Sequence, residues 1–345
     1  MKDLHALLQG NGRVAIAAVG MGGVGKTTLA RRYVIQHRSD YPGGVWWLSA
    51  GSIALDVSGY ADRMDMRSGL PPDWNEERIV QHYFDRWHQE FGDRKLIVVD
   101  NVDRFGQVKD LLPRSGLFQV LMTTREQLQS PVKSLKLKVL SPGAAIEMLR
   151  SLMQNDAKLD GAMAEAEALC KWLGYLPLAL KLMAVQVGRG RSWENLRKAF
   201  FEERVRLRML DQPGVKLADL SEEKQRDYSL RACLQLSLRW LEPEQLSNFT
   251  WLGVLPEDAT IRQGMAIVLW DVADWEAEEG LLALYESSLL SRGADTWDGA
   301  TYRVHDLLHV LAKELIEQPR SIVGKDSLVG LGLSFADAQG QFLER

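Results

Sequence analysis

At 345 residues the chain is too long for one ordinary domain, and an apolar fraction of 46% is enough to fill two or three cores. A net charge of −4 argues against a broad nucleic-acid or anionic-membrane footprint, and Cys170 and Cys233 have no metal-ligand spacing. No apolar run approaches the roughly 20 residues of a membrane span. The opening residues do not read as a secretory leader, so a cytoplasmic protein is expected.

In chain order, an apolar run at 13–19 leads into residues 20–28, Gly-Met-Gly-Gly-Val-Gly-Lys-Thr-Thr, and then into a helical pattern over 27–38. This is a complete Gly-x-x-x-x-Gly-Lys-Thr loop in the strand–loop–helix setting such a loop requires. Glycine-permitted curvature through Gly22, Gly23, Val24 and Gly25 turns successive N–H groups onto phosphate oxygens. Lys26 reaches the β- and γ-phosphates, the Thr27 hydroxyl is placed for Mg²⁺, and the helix start through Thr28 adds a field that favours an anion. A purine nucleoside triphosphate is the expected ligand, with ATP first.

Further short apolar runs at 45–49, 95–100, 118–123 and 136–140 alternate with helical stretches at 76–91 and 105–112. That alternation predicts a parallel sheet with helices on both faces. The run Lys95-Leu96-Ile97-Val98-Val99-Asp100-Asn101 ends in an acid, so Asp100 is the candidate to hold Mg²⁺ opposite Thr27. Its neighbour Asn101 can orient a water but cannot take its proton, so turnover slower than about 1 s⁻¹ is expected, below the ordinary enzyme range. Val120-Leu121-Met122-Thr123-Thr124-Arg125 ends in two hydroxyls and a guanidinium, and Arg125 at a strand's carboxyl end is a candidate γ-phosphate contact.

From Ser141 the strands stop. Helical periodicity runs through 144–154, 160–173, 177–188 and 192–209, then through 228–240, 243–253, 261–268 and 275–287. A hairpin over 289–305 and a helix at 306–317 follow, which suggests a winged-helix unit. The predicted domains are thus 1–140, a nucleotide-binding α/β domain; 141–214, an all-α helical domain; 215–318, a winged-helix domain; and 319–345, a tail. The eleven tryptophans read as core packing. His82 and His88 do not share a helix face, and the mixed-charge run at 203–208 reads as an exposed face.

The ordered set GMGGVGKTT, LIVVDN, LMTTR, LPLAL at 176–180 and Val304-His305-Asp306-Leu307 resembles the NB-ARC family of STAND P-loop NTPases over about 13–318. The resemblance implies that Lys26 and Thr27 hold phosphate and Mg²⁺, that Asp100 lies in the Mg²⁺ shell and that Arg125 senses the γ-phosphate. It also implies that Pro177 stacks on adenine and that His305 contacts the β-phosphate of ADP. Three departures stand out: Tyr175 occupies the position of the family's glycine before Leu-Pro-Leu, Asn101 that of its second acid, and 1–11 lacks the upstream Gly-Arg-Glu element.

Three functions follow. A nucleotide switch is a closed monomer with ADP and an open homo-oligomer with ATP; the expectation is a switch core whose effector and sensor domains are missing from this chain. A multiple-turnover ATPase or small-molecule kinase needs a carboxylate beside Asp100 or a substrate lid, and neither is evident. A transcription regulator would bind DNA through the winged helix, but Glu276, Glu278, Glu279 and Glu286 would repel phosphates. The switch is the best-supported of the three.

Overall fold

The computed structural model describes residues 1–9, 14–66, 69–114, 117–128, 132–153, 161–293 and 299–317. They form two compact units, one within Met1–Lys138 and one from Val139 onward. Among the described residues no helix is long and apolar enough to cross a membrane.

The first unit is built on a five-stranded parallel sheet in the order β2-β3-β4-β1-β5, with β1 Val14–Val19, β2 Val45–Ser49, β3 Lys95–Val102, β4 Phe118–Thr124 and β5 Lys133–Lys136. Central strands β3 and β4 are buried along nearly their whole length, which is why they read as unbroken apolar runs. Successive residues of β1 serve opposite faces, as a period of two requires. Ala17 and Val19 join the core packed with α3 (Ile53–Arg63) and α4 (Glu76–Glu90). Ile16 and Ala18 join a second core with α1 (Lys2–Leu8) and α2 (Lys26–His37). Trp46 and Trp87 are 2% and 0% exposed and stack with ring centroids 3.8 Å apart, so the expected core role of these tryptophans holds.

Three local expectations need correction. The fifth strand lies at 133–136 rather than 136–140, pairing Ile16 with Lys133 and Val19 with Lys136. An edge strand keeps one side in water, so Lys-Ser-Leu-Lys can form it without an apolar run. Helices α1 and α3 are not anticipated by the helical periodicity: α1 is only seven residues long, and α3 carries Ser58 and Gly59 in its interior. Between β3 and β4 the helix α5 is short, Phe105–Val108.

The second unit is largely helical: α6 Pro142–Met153, α7 Met163–Trp172, α8 Pro177–Gly188, α9 Trp193–Asp211, α10 Glu222–Arg239, α11 Pro243–Trp251, α12 Gln263–Trp270 and α13 Asp274–Glu286. An antiparallel pair, β6 Leu290–Arg292 and β7 Tyr302–Val304, precedes α14, Asp306–Glu317. Tyr302 also bridges Ile261. The expected exposed face at 203–208 is corrected as well. Glu203 is 1% exposed and accepts from Arg206 on its own helix and Arg239 of α10 at 2.5 Å each, because α9 packs against α10 there. The 319–345 tail lies outside the described residues.

Candidate functional site

The glycine loop opens where β1 stops. Gly20 N–H donates to the Thr124 carbonyl at 3.3 Å, tying the loop's start to the end of β4. A Cβ at Gly20 would stand 2.9 Å from Val24 Cγ1, so any larger residue here would have to displace Val24 where the loop folds back. Gly23 and Gly25 take left-handed backbone at φ 73° and 98°, and Gly25 caps α2. Gly23 and Val24 are buried, Gly22 is half-buried, and Thr28 is exposed in the first turn of α2.

Lys26 Nζ donates to the carbonyls of Gly20 at 2.8 Å and Met21 at 3.0 Å, so the ammonium is held inside the curl of its own loop. A phosphate there would offer it a stronger, charge-assisted partner. Thr27 Oγ1 donates to Asp100 Oδ1 at 3.0 Å. Thr123 Oγ1 donates to the same oxygen and accepts from the Asn101 N–H at 2.9 Å. Asp100 is 2% exposed, so these hydroxyls supply the partners that a buried carboxylate needs. Sequence reasoning assigns no role to Thr123, although two hydroxyls at the end of an apolar strand are its signal.

Asn101 sits at φ 59°, where the β3–β4 register shifts between Val99 and Val102. Asparagine is among the few non-glycine residues that enter this region readily. The Asp100 carbonyl meanwhile accepts from Ala50 N–H at 3.0 Å, so the end of β2 is fastened to the same point. Val19 pairs with Thr124, which sets Gly20 and the exposed Arg125 at one sheet edge, beyond the carboxyl ends of β1 and β4. The structure thus brings Lys26, Thr27, Asp100 and Arg125 to one edge. The Thr27 hydroxyl and the Asp100 carboxylate are hard oxygen donors that fit Mg²⁺, which when bound neutralises charge on the β- and γ-phosphate oxygens.

Pro177 and His305 belong to the second unit. Pro177 is half-buried at the first position of α8, after Gly174 and Tyr175 at φ 63° and 57°. Tyr175 therefore adopts the backbone that a glycine would take without cost, and its carbonyl accepts from Leu140 N–H at 3.1 Å. His305 precedes α14. Its Nδ1 accepts from Leu307 N–H at 3.2 Å, and its carbonyl accepts from Leu308 and His309 N–H at 2.8 and 2.9 Å. A neutral ring accepting at Nδ1 carries its hydrogen on Nε2.

A glycine loop between strand and helix, with a hydroxyl and a buried carboxylate at neighbouring strand ends, defines a P-loop nucleotide-binding fold. Residues 2–158 match the NB-ARC domain, which assigns that stretch of the chain to the NB-ARC family. It is 29% identical over 330 residues to the regulatory protein AfsR of Streptomyces griseus, covering 91% of this chain and 31% of that protein. It is 25% identical over 319 residues to apoptotic protease-activating factor 1 of Mus musculus, covering 85% of this chain and 23% of that one. The chain thus spans a third or less of the length of these relatives. The crystal structure of a STAND protein with a tetratricopeptide repeat sensor from Pyrococcus horikoshii shares the fold, with a TM-score of 0.52 at 18% identity over 92% of this chain and 42% of that one.

Proposed function

We propose that this chain is the switch core of a STAND regulator, in which ADP holds a closed monomer and ATP with Mg²⁺ favours an open form that assembles with further copies. The observation that carries this reading is the junction of Lys26, Thr27 and Asp100 beside a residue, Asn101, that cannot accept a proton. Binding is well provided for and water activation is not. Hydrolysis then serves to reset a state rather than to drive multiple turnovers. Arg125, exposed at the same strand-end edge, is the sensor that separates ATP from ADP. A ligand shifts such an equilibrium only by its difference in affinity for the two states, so these contacts have to differ between nucleotides.

In this reading Pro177 stacks on the adenine and the Nε2–H of His305 donates to the β-phosphate of ADP. The domains are 1–140, 141–214 and 215–318. The winged-helix assignment of the third is supported by the order α11, Ile261, α12, α13, β6, β7, with Tyr302 bridging Ile261. The relatives' printed roles, regulatory and protease-activating, favour a signalling output through effector and sensor domains in the cytoplasm. Denaturing the purified protein and identifying the released nucleotide tests the proposal. About one ADP per chain is the expected result, as for a ligand retained through purification. A nucleotide-free protein that also binds neither ADP nor ATP would end it.

A further inference from the structure

A second group of chemistry-bearing side chains lies in the first unit, away from the glycine loop. His5 on α1 and His37 in the last turn of α2 stack ring on ring, with centroids 4.0 Å apart and 20° between planes. Both direct Nδ1 toward one carboxylate oxygen: Asp40 Oδ2 lies 2.9 Å from His37 Nδ1 and 3.9 Å from His5 Nδ1. The Tyr33 hydroxyl is 3.3 Å from His5 Nδ1 and 2.8 Å from the Tyr41 hydroxyl, and the Tyr33 ring also stacks on His37. A candidate ligand atom from each of His5, His37 and Asp40 lies within 4.8 Å of the other two.

We propose that His5, His37 and Asp40 bind one divalent transition-metal ion of the zinc class. Two imidazoles and one carboxylate suit Zn²⁺ or Co²⁺, whereas Mg²⁺ and Ca²⁺ prefer sites made of oxygen alone. Metal–ligand bonds of about 2.0–2.2 Å in tetrahedral geometry put ligand atoms roughly 3.3 Å apart. The observed Nδ1–Oδ2 separations of 2.9 and 3.9 Å bracket that value and all three ligand atoms lie within 4.8 Å of one another, so the site closes when the two stacked rings tilt toward the ion. They have room to make them, because His5, His37 and Asp40 are 34%, 25% and 35% exposed. The same exposure leaves a coordination position for water. The Tyr33 hydroxyl, 3.3 Å from this same His5 Nδ1, would give up that contact to the ion and keep its bond to the Tyr41 hydroxyl.

A plain hydrogen bond explains His37 and Asp40, which are three residues apart in one turn. It does not account for the placing of His5, which comes from a separate helix and brings its Nδ1, in reach of the Tyr33 hydroxyl and the Gln9 amide, to 3.9 Å from the same oxygen. A bound ion would pin α1 to the far end of the helix whose first turn carries Lys26 and Thr27. It would add to the existing tie made by Arg94, which donates to the Leu8 carbonyl at 3.0 Å and to Gln9 Oε1.

The test uses the full chain without a histidine tag, stripped with a chelator and kept free of Mg²⁺ and nucleotide. Calorimetric titration with Zn²⁺, and with Co²⁺ followed by visible absorption, should give one ion per chain at micromolar affinity or tighter. His5→Ala and His37→Ala should each weaken binding by at least about tenfold, the low end of what even outer-shell changes cost. Asp100→Asn, which alters the carboxylate at the glycine loop, should leave the titration unchanged. Circular dichroism confirms that each variant is folded, and ADP affinity does so for the histidine variants; should His37→Ala fail to fold, His5→Gln carries the same prediction. Absence of stoichiometric binding, binding that survives the histidine variants, or binding lost in Asp100→Asn would each overturn the proposal.

Discussion

Replacing His305 can separate a helix cap from a nucleotide contact. In the structure the ring accepts from Leu307 N–H while the carbonyl begins the hydrogen bonding of α14, which is the work of an N-terminal cap. Removing a capping side chain costs about 1 kcal/mol. In a unit of about 200 residues that lowers Tm by roughly 2–4 °C. A donor from Nε2 to a phosphate oxygen is charge-assisted and contributes about 1.5–3 kcal/mol. If that contact exists only in the bound state, its loss speeds ADP release roughly ten- to hundredfold. His305→Ala should therefore show both effects, a lower Tm and faster release of a fluorescent ADP in stopped flow. His305→Asn should show only the second, because asparagine is among the strongest caps but has no Nε2. Wild-type release from the asparagine variant, or a lower Tm with unchanged release from the alanine variant, would mean that the histidine is a cap and nothing more.

Lys26→Ala removes the ammonium from the loop and should bring ATP binding below detection in equilibrium dialysis; retained affinity would dismiss the loop as the site. Asn101→Ala should cost about 1–2 kcal/mol in urea unfolding, because alanine resists the left-handed backbone at φ 59°, whereas Asn101→Gly should cost little. Trp87→Ala should destabilise by about 3–5 kcal/mol, since the ring is fully buried against Trp46 and its Nε1 donates to the Gly43 carbonyl at 2.9 Å. Calorimetry of the intact chain would detect that loss as a downward shift in Tm, and an unchanged Tm would refute it.

The parts of this fold legible in the sequence are those whose information is local. Gly20 to Thr27 carry their own turn geometry, and the central strands β3 and β4 are apolar at almost every position because both faces are covered. The edge strand Lys133–Lys136 escapes a reading by apolar runs because solvent removes that signal. Glu203 looks like an exposed charge in the sequence and is instead buried between Arg206 and Arg239, a pairing set by how α9 meets α10. Thr123 as a partner of Asp100, and His5 beside His37, depend on residues 23 and 32 positions apart being joined by strand register and helix packing. The two hydroxyls ending the strand are the one local trace of the first pairing, and the second has none.

Asn101 shows how a structural reason and a chemical one can be separated at a single position. Its backbone is left-handed at the register shift, its N–H is bound to Thr123, and Thr123 passes a hydroxyl hydrogen on to Asp100. A β-branched or long side chain is disfavoured there for backbone reasons alone. Aspartate is not, because it enters the left-handed region about as readily as asparagine does. The backbone would therefore admit a carboxylate beside Asp100, and the absence of one is not imposed by the turn. A second carboxylate at this point would also sit against the buried charge of Asp100, and the two would resist being ionised together. In the proposed switch, a neutral amide leaves the Thr27–Asp100–Thr123 junction to bind nucleotide while withholding the base that fast hydrolysis needs. The slow turnover expected of the site is then a consequence of side-chain chemistry at residue 101, not of a backbone that could accept nothing else.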